Sequence, residues 1–116
     1  MGRKRRSDQK EGYVYEEYAK ASSIVERLKR IAEQMVDPQL EAKLTTLAKK
    51  AKNQRTQAEH RLRNFDTLDA LVSNSDLDEE TRNGYRDQRD TLAGEILVRI
   101  YHIHMVNDRA KRIMGA

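Results

Sequence analysis

The side chains with the chemistry to hold a metal ion or relay a proton are His60, His102 and His104, set among 19 Asp and Glu. Their spacing argues against both roles. His102 and His104 flank Ile103 and stand about 200° apart on a helix, so they cannot grip one ion. Glu59-His60 lacks the Glu-x-x-His interval that places metal ligands on one face of a bundle helix. The chain has no Cys, which removes thiolate nucleophiles, disulfides and cysteine-bound zinc or iron–sulfur centres. It has no Gly-rich phosphate loop and no nucleophile elbow, and its acids follow exposed helix faces and caps rather than marking out a pocket. The expectation is a non-enzymatic protein with no metal, no cofactor and no small-molecule substrate.

Cations carry the stronger signal. Arg3, Lys4, Arg5 and Arg6 are consecutive, with only Asp8 close by to neutralise them. Such an arm binds polyanions by displacing their counterions; a solvated tail or a nuclear address label has the same composition. A second group lies further on, where Lys49, Lys52, Asn53, Thr56, His60 and Arg63 fall on one stripe of a helix about 21 Å long, without an acid. That length spans several phosphates of one strand, although the outward face of any soluble helix is also polar. The nucleic-acid-binding candidates are therefore Arg3, Lys4, Arg5, Arg6, Lys49, Lys52, His60 and Arg63. Tyr13, Tyr15 and Tyr18 follow the arm and could stack on bases, but Tyr18 also fits a core position with the other two at its rim.

An apolar stretch, "ILVRIYHIHMV", supplies the last candidates. Leu97, Val98, Tyr101 and Met105 lie roughly opposite the core row of their helix, and a helix apolar all round is buried all round. Their expected role is an interface, most simply self-association into a homo-oligomer.

The elements that must position these residues follow from composition and period. Charged residues make up 36% of the chain, aromatic residues 5%, and there is one Pro. Abundant Ala, Leu, Glu, Lys, Arg and Gln favour helix. Val14, Tyr18, Ala21, Val25, Leu28, Ala32 and Met35 step by four and three, the spacing of a coiled-coil seam. Leu40, Leu44, Leu47, Ala51, Ala58, Phe65, Leu68 and Val72 continue it, interrupted by Gln54 and Arg61. Tyr85, Leu92, Ile96, Ile100, Ile103, Ala110 and Met114 share a third face. Asp37 with Pro38 marks one helix start; Asp76, with Asp78 competing, marks another. The spacing predicts helices over about 12–36, 38–73 and 77–114. Short connections make them an all-α, elongated, antiparallel up-down-up bundle with a flexible basic arm over 1–11 and a single domain over 12–116. Helix 1 is expected to be about ten residues shorter than its partners.

Charge is unevenly spread along the chain. From Lys43 to Arg63 seven Lys/Arg face one acid, whereas from Asp76 to Ala116 seven face eight. No apolar run approaches the roughly 20 residues of a membrane span, and no apolar segment follows the basic start as in a secretory signal. A cytoplasmic location is expected, with a nucleoid, nucleoprotein complex or virion as its variants. Two functions fit: binding of DNA or RNA through phosphate contacts with low sequence selectivity, or a structural part of a larger protein assembly, such as a particle subunit, scaffold or ribonucleoprotein subunit.

Overall fold

A computed structural model describes residues 6–115, with side chains from residue 12 onward. Three helices account for nearly all of it: α1 (Arg6–Gln34), α2 (Pro38–Val72) and α3 (Glu79–Ile113). They pack as an antiparallel up-down-up bundle measuring 60 × 25 × 16 Å. The contact between α2 and α3 is the most extensive, and α1 lies against both.

Helix boundaries follow local chemistry. Asp37 sits in extended conformation and its Oδ1 accepts from the N–H groups of Gln39 at 2.9 Å and Leu40 at 3.4 Å, while Pro38 takes the first helical position. Asp78, rather than Asp76, caps α3, accepting from Thr81 N–H at 3.3 Å, so that helix begins two residues later than its sequence pattern suggests. Asp76 instead belongs to the turn, its N–H donating to Asn74 Oδ1 at 3.0 Å. At the far end of α3, Lys111 and Arg112 face the negative pole of the helix dipole.

The first helix differs most from expectation. Its backbone is helical from Arg6, six residues before the predicted start, and it ends at Gln34. Gly12 does not stop it, because one glycine inside a helix costs only about 1 kcal/mol. Among the described residues α1 has 29 residues against 35 in each partner, a difference of six where about ten is expected.

The seam predicted from the four-three spacing is the core. Val14, Ala21, Val25, Leu28 and Ala32 of α1 meet Leu44, Leu47, Ala51, Ala58 and Phe65 of α2 and Ala93, Ile96, Ile100, Ile103 and Ala110 of α3. Six of these fifteen are alanines, which lets the helix backbones approach closely. Two polar residues share the buried seam of α3. Arg89, 2% exposed, donates to Asp69 Oδ1 at 2.8 Å. Asn107, 7% exposed, accepts from Arg27 Nη2 at 3.1 Å. Each thus has a partner on another helix, as a buried polar residue needs, although the Nε of Arg89 is buried without a hydrogen bond.

Candidate nucleic-acid interface

Exposure along α2 comes first, because it decides whether the basic stripe faces water. Lys49, Lys52, Asn53, Thr56, His60 and Arg63 are all exposed, and they occupy one face as their spacing predicts. Among the described residues, no carboxylate lies within 4.0 Å of Lys43, Lys49, Lys50, Lys52 or Arg63. Arg55 and Arg61, by contrast, are committed to the bundle. Arg55 Nη1 donates to Glu26 at 2.7 Å, and that bond holds the Glu26 carboxyl below its usual value. Arg61 Nε lies 3.4 Å from Glu95, and its Nη1 donates to the Gln57 carbonyl at 3.1 Å.

Folding gathers further cations around the N-terminal half of α2. A groove of about 300 Å³ between α1 and α2 is lined by Lys29, Lys49, Lys52 and Arg55 over a floor of Val25, Ala32 and Ala48, with Glu33 as its single acid. On the α3 side a second groove, of about 410 Å³, is lined by Lys43, Lys50 and Arg109 with no acid at all. It continues past Asn53, Gln54 and His102. The first half of α2 is thus a ridge with cations on its crest and along both flanks.

This arrangement makes the bundle a long electrical dipole. The end formed by residues 26–55 and 99–115 carries twelve Lys/Arg against five Asp/Glu, or +7. The other, formed by residues 12–25 and 56–98, carries six against twelve, or −6. Cross-helix pairs fix this alignment: Tyr18 with Glu59, Glu26 with Arg55, Asp69 with Arg89. The phenol of Tyr18 donates to Glu59 at 2.6 Å, and burial together with that bond pushes its pKa up to about 12.

Of the first predicted cationic group, only Arg6 lies among the described residues. Arg3, Lys4 and Arg5 lie outside the described residues, and Arg6 opens α1 at the acidic end of the bundle. Counting along the helix axis, that start is about 35 Å from the level of Lys49. Arg6 therefore does not prolong the stripe. Lys29 and Arg109 join the cluster through topology alone, and the hairpin order of the helices was the signal that could have found them.

The aromatic candidates divide as their alternative reading has it. Tyr18 is partly buried against the core. Tyr15 packs edge-on to Phe65, with ring centroids 5.7 Å apart, and its hydroxyl donates to Asp66. Tyr13 is exposed. On α3, Val98, Tyr101 and Met105 are at least half exposed, whereas Leu97 is half-buried and packs against the core. Leu97 is thus a flank of the core, and the open apolar stripe is the other three.

Among the described residues no cluster of three His, Cys, Asp or Glu is arranged to hold a metal ion, and no helix is long and apolar enough to cross a membrane. Comparison with protein-family models, curated proteins and solved structures finds no match to this chain.

Proposed function

We propose that this chain is a non-catalytic nucleic-acid-binding protein that holds the phosphate backbone against the exposed basic face of α2, which runs from the basic end of the bundle as far as Arg63, with little sequence selectivity. One observation carries the reading: Lys43, Lys49, Lys50, Lys52 and Arg63 project from α2 with no carboxylate within 4.0 Å among the described residues. Like charges crowded within a Debye length repel, and a phosphate strand relieves that repulsion while shedding its own counterions. The stripe from Lys49 to Arg63 runs about 21 Å, the axial rise of about six phosphates on one strand. Asn53 adds a neutral donor to the same track, while the Thr56 hydroxyl donates to the Lys52 carbonyl at 3.1 Å. Low selectivity follows because cations and hydroxyls meet phosphate oxygens, which carry no sequence information. Arg3, Lys4, Arg5 and Arg6 are a further proposed phosphate contact, of which only Arg6 lies among the described residues, at the start of α1.

Fluorescence anisotropy with a mixed-sequence 20-mer duplex tests this. Contacts from Lys43, Lys49, Lys50, Lys52 and Arg63 give a slope of log affinity against log salt near −4.5, or a loss of a few hundred-fold between 50 and 200 mM. Replacing Lys49, Lys50 and Lys52 together by Gln should make the slope shallower by about 2.7. The pair Arg82→Gln and Arg86→Gln, at the acidic end, should leave it unchanged. Absence of binding at 50 mM salt, or an unaltered slope in the triple variant, overturns the proposal. The open stripe Val98, Tyr101 and Met105 favours a second reading, a structural component acting through helix–helix contacts.

A further inference from the structure

The outward face of α3 holds a second heptad row that hydrophobicity alone does not reveal. Asp87, Thr91, Gly94, Val98, Tyr101, Met105, Asp108 and Arg112 step by four, three, four, three, four, three and four, the interval of a coiled-coil seam. All but Gly94 are exposed, and a Cβ built on Gly94 meets nothing within 4 Å, so the whole row faces open space. Its length, from Asp87 to Arg112, is about 37 Å.

The row is complementary to itself when reversed. Placing a two-fold axis between Val98 and Tyr101 sets Val98 against Tyr101, Gly94 against Met105, Thr91 against Asp108 and Asp87 against Arg112. Each pair joins the two kinds of seam position, as the geometry of antiparallel coiled coils requires. Small faces large at Gly94 and Met105, and opposite charges meet at both ends. Outside the seam, Asp90 of one copy reaches Lys111 of the other. Laid parallel, the same row would oppose Asp87 to Asp87, Asp108 to Asp108 and Arg112 to Arg112, which repel. On a larger scale, the antiparallel arrangement lays the +7 end of one bundle beside the −6 end of its neighbour.

We infer that α3 is the interface of an antiparallel homodimer, closed by Val98, Tyr101 and Met105 and held in register by Asp87 and Arg112. The occupant of the open stripe is a second copy of this chain, because only an inverted copy answers both its apolar centre and its charged ends. An isologous contact of this kind closes on itself and stops at two. Met105 of the seam also borders the groove of Lys50, Asn53 and Arg109, whereas Lys49, Lys52 and Arg63 do not line it, so each dimer keeps two sets of these three cations for a polyanion and gains avidity from them. Dimerisation itself does not depend on the nucleic-acid reading.

Charge swapping tests the orientation. In sedimentation equilibrium the protein should show twice its 13.5 kDa chain mass as concentration rises. Asp87→Arg or Arg112→Asp alone should weaken the dimer about tenfold, since each places like charges at two symmetry-related sites. Mixing the two variants, or combining them in one chain, should restore it. Because the chain has no native Cys, oxidative cross-linking gives a second readout: Gly94→Cys mixed with Met105→Cys should form the mixed disulfide in preference to either like pair. Circular dichroism should be unchanged, as every altered position is exposed or open. A monomer at all concentrations, no rescue on mixing, or preferential 94–94 and 105–105 cross-links each overturn the proposal. A monomer that still binds DNA with a steep salt slope would sink the dimer and spare the proposed function.

Discussion

Removing the carboxylate of Asp69 probes the most unusual group in the core. Arg89 is 2% exposed, and its Nη1 donates to Asp69 Oδ1 at 2.8 Å. Breaking a fully buried ion pair costs about 3–5 kcal/mol, because the orphaned charge stays desolvated, whereas an exposed pair is worth about 0.2–1. Asp69 lies between these limits. Its side chain is 29% exposed, and it is not the guanidinium's sole partner. Asp69→Ala should therefore cost about 2 kcal/mol, which for a chain of this size lowers Tm by about 8 °C. Arg89→Met replaces the guanidinium with an apolar chain of similar length. In that background the same Asp69→Ala change should cost about 0.5 kcal/mol or less, because no buried charge remains to be stranded. Urea unfolding followed by circular dichroism at 222 nm, run on the four members of the cycle, isolates the coupling. A coupling below about 0.5 kcal/mol would mean that the pair behaves as a surface contact and that the burial argument is wrong.

Further changes test other layers of the bundle. Phe65→Ala should destabilise by about 3–5 kcal/mol, since Phe65 is 1% exposed and its ring also meets Tyr15 edge-on; a loss under 1 kcal/mol in urea unfolding would contradict that packing. Asp37→Ala should cost about 1 kcal/mol through loss of the α2 cap, with Asp37→Asn close to neutral; equal losses in both would point away from capping. Tyr18 has its pKa raised from 10.0 to about 12, so the stability it adds is full below pH 10 and drains away as pH rises toward 12. Tyr18→Phe should flatten that alkaline limb of the stability–pH curve, and an unchanged limb would remove Tyr18 as its source.

Helices and seam were legible because the four-three interval holds over most of each segment and turn chemistry brackets it. The places where the structure departs from that pattern share a cause. Arg89 and Asn107 sit on the same interval as Tyr85, Leu92, Ile96, Ile100, Ile103 and Ala110, but a search for apolar residues passes over them. Their burial depends on Asp69 and Arg27, which lie on other helices. The outer row of α3 was visible only at Val98, Tyr101 and Met105, since its remaining positions are Asp, Thr, Gly and Arg. Its regularity appears once the row is known to face outward. The first helix extends before residue 12 because Gly12 is a small penalty against the helix-favouring residues around it.

The cationic end was only half legible. Lys49, Lys52, His60 and Arg63 share a face through local spacing. The count over 76–116 hid a split, for its acids concentrate at one end of α3 and Arg109, Lys111 and Arg112 at the other. Only the hairpin order brings that second end beside Lys43 and Lys50.

Lysine acetylation footprinting, read residue by residue with and without a mixed-sequence oligonucleotide at low salt, tests the placement of the nucleic-acid site most directly. Lys49, Lys50 and Lys52 should be protected, with Lys29 and Lys43 following, while Lys20 at the acidic end beside Glu16 and Glu17 stays as reactive as in the free protein. Protection of Lys20 with Lys49, Lys50 and Lys52 left open would contradict it.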